Sequence, residues 1–408
     1  MTAHPDPAAA APPDLVFTGL GAVASVGSGV DEIFEALCAG RSGRAELRGF
    51  DPVGFRARHA YEIDDRPAPG TDEPGRATRW LIAAIAEAAH DAGLGEDLSE
   101  VPVLIGTGLR ELRSAELRWR DGADFDMAEL HFGTALRERF GAVRTHTFSN
   151  ACSASLYALA MGSDLLAAQE ADTVIVAGVD TLTESMYGLL DRVHMEAPDR
   201  LRPFDRDRKG VLMGEGAAAV VLRRNTGTAT GTGTGTSTGT AAGRGGGAVR
   251  GRLRSVHVNC DGYHVTAPDR DGIAEAVRGA HREAGVKPED IGLVMLHGTG
   301  TLLNDEAEAA AIGDVFGPQA GTPLMTAVKS MTGHTSGGSG LLSLIVALKA
   351  LDSGRVPPTI GLREPIEEAA AFRIVRDREA AAEAVLAQVD AFGFGGVNAV
   401  AVVERAVW

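Results

Sequence analysis

Two stretches of this chain are helical in pattern yet apolar on nearly every face: residues 156–168 and residues 341–348. A helix with so little polar surface belongs inside a protein, packed on all sides. Each follows a strand-like run and a turn of small residues, so the chain reads as one plan executed twice. Residues 101–105 run into Gly106-Thr107-Gly108, and residues 291–296 run into His297 and then Gly298-Thr299-Gly300. Continuous apolar runs at 173–177 and 217–222 are what strands covered on both faces look like. If the two buried helices pack together between two sheets, the layers alternate helix, sheet, helix, sheet, helix. The expected fold is therefore α/β, five-layered αβαβα, with two pseudo-duplicated halves.

The halves are expected at 15–225 and 249–408. Between them, residues 226–248 are low-complexity Gly/Thr that cannot offset its ordering entropy by burial, and they read as a flexible linker. Residues 1–14 lack the charged start and apolar core of a signal peptide and read as a disordered tail. Helices are expected at 30–39, 79–92 and 126–140, and residues 44–75 as irregular polar chain. The net charge of −16 argues against a nucleic-acid surface, and no apolar run is long enough for a membrane span. Three cysteines without a CxxC provide neither a disulfide framework nor a metal site, which suits the cytoplasm.

One of those cysteines, Cys152, stands in Ser149-Asn150-Ala151-Cys152-Ser153-Ala154-Ser155, where a strand gives way to the first buried helix. Helix N-termini favour a thiolate, and small neighbours leave room for a reactant. Cys38, in an amphipathic stretch, reads as ordinary core. The second half supplies three more reactive side chains on turns: His297 directly after a strand, then Lys329 and His334 ahead of the second buried helix. Lys329 is one of only four lysines in a chain whose basic residues are otherwise arginine. Asp305 and Glu308 open the helix after His297. The remaining histidines read as surface or structural residues.

The segments VFTGLGAVASVGSGVDEIFEALCAGRSG, NACSAS, RPFDRDRKGVLMGEGA, GYHVTAPDRDG, HGTGT with NDEAE, KSMTGH and FGFGGVN occur in that order. Together they resemble the β-ketoacyl-acyl carrier protein synthases, thiolase-fold condensing enzymes with a Cys-His-His site. The resemblance covers about residues 15–405. It implies that Cys152 takes up an acyl group as a thioester, and that a malonyl group on an acyl carrier protein is then decarboxylated and condensed onto it. It assigns the enolate to His297 and His334, with Lys329 fixing the polarity of the histidine region and pairing with Glu308. It assigns the oxyanion hole to the backbone N–H groups of Cys152 and Phe394, and gives Phe394 a gating role. Leu109 falls at a position lining the acyl pocket. No bound cofactor is expected, since the substrates ride on the phosphopantetheine of the carrier.

Docking an acidic carrier requires a local basic patch, and Arg202, Arg206, Arg208 and Lys209 form the densest basic run. Asp205 and Asp207, interleaved there, fit a solvated charged loop equally well. The resemblance further implies a homodimer, or a heterodimer with a chain-length-factor-like subunit. Leu302 where proline is common, a polar GHTSGGSG, and short segments at 108–140 and 180–202 point toward a specialised, polyketide-like pathway. Two other readings are a ketosynthase-like acyltransferase to an alcohol or amine, and a non-catalytic partner subunit. The intact Cys152 disfavours the latter.

Overall fold

The structure is a computed structural model, described here for residues 14–68, 70–225 and 247–406. The expected tail (1–14) and linker (226–248) fall almost wholly outside those residues. Asp14 is an exception: its carbonyl accepts from the backbone of Asn225 at 2.7 Å, and its carboxylate pairs with Arg252.

The first half contributes strands β1 (Leu15–Ala24), β2 (Val103–Gly106), β3 (Thr145–Phe148), β4 (Thr173–Asp180) and β5 (Gly216–Arg224). The second contributes β6 (Gly251–Cys260), β7 (Leu293–Met295), β8 (Leu324–Thr326), β9 (Leu386–Gly393) and β10 (Val397–Glu404). The first half is ordered β3-β2-β4-β5-β1 and the second β8-β7-β9-β10-β6. In each half the first two pairings are parallel and the last two antiparallel. The duplication expected from sequence is thus written in the order of these ten strands, to which the second half adds an edge strand, Arg373–Ile374, beside β8. The two sheets are joined where β1 meets β6, over Leu15↔Leu253, Val16↔Arg252 and Phe17↔Gly251.

Strand alternation sorts the core into layers. Along β4, Val174 and Val176 face the central helices, while Ile175, Ala177 and Val179 face the outer helix α1 (Arg76–Asp91). Across the molecule, Leu293 and Met295 of β7 face inward, and Val294 packs against the outer helices α3 (Arg270–Ala284) and α4 (Leu302–Phe316). Between the sheets lie α2 (Ala154–Ala167) and α5 (Ser339–Ser353). This is the five-layered αβαβα arrangement. The apolar side chains of α5, from Leu341 to Leu348, are all buried, each Leu or Ile contributing roughly 1.5–3 kcal/mol by transfer from water. The helix stops at Gly354, whose φ of 69° is the left-handed geometry of a C-cap. The central helices touch at their starts, where Ser155 Oγ accepts from the backbone N–H of Leu341 at 3.1 Å.

One expectation is corrected and another is filled in. The helix expected at 126–140 is a short 3-10 turn, Met127–Leu130, and a separate helix, Gly133–Phe140. The polar stretch 44–75 is irregular as expected, apart from two-residue strands at 45–46 and 59–60, and it is tied down. Arg66, Arg76 and Arg113 are buried with Glu62, Asp72 and Glu215 in an ion network that ties this stretch to the first sheet. Among the described residues, no helix is long and apolar enough to cross a membrane.

Candidate active site

Cys152 stands in a 3-10 turn, Ala151–Ser153, two residues ahead of α2. Ala151 adopts φ 58°, a left-handed conformation that costs a non-glycine residue roughly 1–2 kcal/mol. Such strain is typical of a backbone re-aimed to present a side chain. His334 comes from the turn after the short helix Lys329–Thr332. Its backbone is pinned on both sides, its N–H donating to Leu212 O and its carbonyl accepting from Gly214 N, each at 3.0 Å. The RKGVLMGEG segment therefore acts as a clamp for His334.

Sequence-distant groups meet here. His334 Nε2 lies 3.0 Å from Cys152 Sγ. The His297 and His334 rings are 5.5 Å apart at 87°. Ligand-capable atoms of Cys152, His297 and His334 all fall within 4.8 Å of one another. The first half supplies the sulfur and the second half both imidazoles.

Lys329 is buried and donates to His297 O at 2.6 Å, with His297 Nδ1 at 3.4 Å. An ammonium has only protons to offer, so Nδ1 is the acceptor and the ring proton of His297 sits on Nε2. Glu308 holds the same residue from the other side. Its carboxylate accepts from the N–H of His297 at 2.6 Å and of Gly298 at 2.8 Å. The expected Lys329–Glu308 pairing is thus not a direct ion pair; each grips His297 separately. Glu308 remains the charge that most favours the ammonium, against the burial that pulls Lys329 down. Asp305 is an anchor rather than a reactant, accepting from Phe204 N at 2.7 Å and Gly300 N at 3.2 Å.

Burial dominates the electrostatics. It holds both histidines well below 6.5, and the Lys329 charge adds to the effect. Burial also pushes the Cys152 thiol up to about 11, although Lys329 and the backbone N–H groups of Phe394 and Cys152 pull the other way. Burial thus opposes the thiolate that a helix start favours, and a neutral imidazole stands beside the sulfur to receive its proton. The same two N–H groups converge on the sulfur, which is where an oxyanion hole belongs. Phe394 itself is 48% exposed, in the turn after β9, and stands at the mouth rather than in the core.

A cavity of about 1210 Å³ reaches Cys152, His297 and His334 from the surface. Leu109, buried, forms part of its wall, and Met186, Leu190, Val193 and Met195 add an apolar side. Sequence reasoning missed that side, and it missed Asp180. The Asp180 carboxylate, at the buried end of β4, accepts from Thr107 Oγ1 at 2.8 Å, Gly108 N at 2.7 Å, Leu109 N at 2.8 Å and Gly337 N at 2.7 Å. It joins the Leu109 loop to the turn that begins α5. An aspartate closing an apolar strand run was the available signal.

The expected docking cations divide. All four line the cavity, but Arg208 is buried, bound to the carbonyls of Asp205, Thr301 and Leu302 and to Glu306 at 2.7 Å. It is structural, since its side chain is only 3% exposed and each of its nitrogens is already engaged. Arg202 pairs with Asp199, Arg206 with Glu364 and Lys209 with Glu196.

Comparison with known proteins agrees with this geometry. Residues 13–227 match the β-ketoacyl synthase N-terminal domain and residues 250–363 its C-terminal domain. A chloroplastic 3-oxoacyl-[acyl-carrier-protein] synthase I of Arabidopsis thaliana is 30% identical over 95% of this chain and 85% of its own. The solved ishigamide ketosynthase/chain length factor superposes with a TM-score of 0.85 at 32% identity, covering 97% of this chain and all of that one. A type II polyketide acyl carrier protein complexed with its ketosynthase superposes at 0.83 and 20% identity, covering 97% of this chain and all of the matched one. With the same duplicated fold, the cysteine and histidines gathered at one cavity, and both domain signatures in order, the chain belongs to the β-ketoacyl synthase family.

Proposed function

We propose that this protein condenses a Cys152-bound acyl group with a malonyl group by decarboxylation, lengthening the chain by two carbons. The observation that carries the reading is the gathering of one thiol and two neutral imidazoles, with two N–H groups aimed at the sulfur, at the floor of a cavity open to solvent.

In the first step Cys152 Sγ attacks the acyl thioester while its proton passes to His334 Nε2, 3.0 Å away. The new S–C bond forms, the carrier thiol departs, and His334 returns the proton to it. In the second step a malonyl thioester loses CO2, and the enolate oxygen receives the Nε2–H of His297. Among the described residues no group binds His334 Nδ1, so once the thiol no longer occupies Nε2 the ring proton is free to sit there. Once the sulfur is acylated, His334 serves as the second donor. The enolate carbon attacks the Cys152 thioester, and the N–H groups of Cys152 and Phe394 stabilise the tetrahedral oxyanion. Collapse releases the 3-oxoacyl thioester and a Cys152 thiolate, which takes up one proton and so balances the carboxylate lost as CO2.

No bound cofactor enters these steps; the substrates are carried on phosphopantetheine. We take the partner to be an acyl carrier protein and the pathway to be specialised or polyketide-like, as in the related type II polyketide complex. A chain that keeps its own nucleophile pairs either with a second copy of itself or with a subunit of chain-length-factor type, as in the ishigamide structure. Three free cysteines suit the reducing cytoplasm.

The test is to offer malonyl-carrier protein to enzyme pre-loaded with an acyl group, measuring CO2 and the intact mass at Cys152. Loading followed by CO2 release and a two-carbon gain is expected. Loading with transfer to an alcohol or amine and no CO2 would sink the condensation reading.

A further inference from the structure

The cavity mouth carries a fifth cation that the sequence reading did not single out. Arg363 lines the same cavity and is exposed. The four other basic side chains there are each neutralised, Arg202 by Asp199, Arg206 by Glu364, Arg208 by Glu306 and Lys209 by Glu196. Among the described residues Arg363 alone of the five makes no ion pair.

Its position is nonetheless fixed. Asp205 Oδ2 accepts from the backbone N–H of Arg363 at 2.6 Å and of Glu364 at 3.0 Å. Arg206 N donates to Glu364 O at 2.8 Å, and Ile366 N to Phe204 O at 2.9 Å. The segment 363–366 is laced to 204–206 as a short antiparallel bridge centred on Asp205 and Pro365. A guanidinium on an anchored backbone, at the rim of a cavity and without an anion of its own, is a site waiting for one. Guanidinium groups suit planar, bidentate recognition of phosphate oxygens.

We infer that Arg363 binds the phosphodiester of the phosphopantetheine arm as it threads the mouth of the cavity. This rests on the proposed condensation reading, in which the arm delivers a thioester to Cys152. The phosphate, where the arm joins the carrier, stays near the rim. Carboxylates on the carrier's own surface are the other anion available. A group lining the cavity itself meets the arm first.

Two donors with the same acyl group, one on 4′-phosphopantetheine and one on pantetheine, isolate the phosphate. Loading of Cys152 from each is followed by intact mass at subsaturating donor, beside loading from the acyl-carrier protein. Wild type should favour the phosphorylated small donor over pantetheine by about threefold to tenfold, the range of one solvent-accessible charge-assisted contact. Arg363→Gln should erase that preference, and Arg363→Lys should restore part of it. Equal slowing from every donor, slowing confined to the carrier-bound donor, or an unaltered preference would each overturn the assignment. Direct binding of 4′-phosphopantetheine, compared between wild type and Arg363→Gln, reads the phosphate site even if no acyl transfer occurs. Failure of the condensation reading would therefore remain distinguishable.

Discussion

Gly106, the last residue of β2, lies directly against the backbone at the start of α2. A Cβ built there would lie 2.2 Å from the backbone N of Ser155 and 2.4 Å from the carbonyl carbon of Ala154. Ordinary contact begins near 3.4 Å, so Gly106→Ala falls short by about 1.2 Å. The opposing atoms are backbone, and no rotamer change relieves the clash. Sheet and helix must separate, at the roughly 1–3 kcal/mol typical of overpacking. The displaced helix start carries Cys152 with it, moving the sulfur relative to His334 in the other half. A misplacement of about 1 Å can cost 10²-fold in rate. Gly106→Ala is expected to melt a few degrees lower and to load Cys152 about tenfold to a hundredfold more slowly, read by thermal denaturation and intact mass. The control is Gly313→Ala in α4, where a Cβ meets nothing within 4 Å. That change should be neutral or stabilising by up to about 1 kcal/mol through helix propensity. Wild-type melting and loading in Gly106→Ala would refute the claim that this contact sets the position of the nucleophile.

Cys152→Ala should abolish acyl loading, and His297→Ala should cut CO2 release at least about 10²-fold while some loading survives, both read by mass and CO2 assay. Lys329→Met removes the donor that fixes His297 as an Nε2–H tautomer, and should lower kcat for condensation more than it slows loading. Arg208→Gln should destabilise by about 3–5 kcal/mol through the partners left buried, without a specific loss of carrier affinity; a carrier-binding defect in a protein of wild-type stability would contradict the burial argument. For pH, the folded protein keeps His297 and His334 neutral well below 6.5. Below that pH the unfolded chain binds protons the fold refuses, so these residues' contribution to stability rises with pH up to about 6.5 and is lost in acid. His334→Gln should accordingly show a shallower decline in stability from pH 7 to pH 5 than wild type, by up to one bound proton.

The layers were legible because apolar runs such as 173–177 and 341–348 admit few environments; strand order was not, because it pairs runs far apart along the chain. Cys152, His297, Lys329 and His334 were legible because reactive side chains on turns beside buried helices are rare. What stayed hidden depends on burial and on partners distant in sequence. Arg208 looks like Arg206 in the chain, yet one lies under the loop after β7 and the other faces solvent. The state of the Cys152 thiol turned on desolvation, which a nearby helix start does not reveal. Asp180 gathers donors from two loops and from the other half of the molecule, a convergence no local window contains.

The repeated strand order gives Asp180 a twin. It ends β4 as Gly393 ends β9. The turn Ser336–Gly338 before α5 mirrors Ala151–Ser153 before α2, down to a positive φ at its first residue, 45° at Ser336 and 58° at Ala151. Gly337 therefore stands where Cys152 stands in the other copy, and its amide proton is taken by the Asp180 carboxylate. At the reactive copy the strand ends in a bare glycine, and the matching amide of Cys152 is turned toward its own sulfur, with no carboxylate on it among the described residues. The same turn thus serves two ends: in one half its amide faces the reacting sulfur, and in the other it is held by a carboxylate that ties the molecule's two halves together.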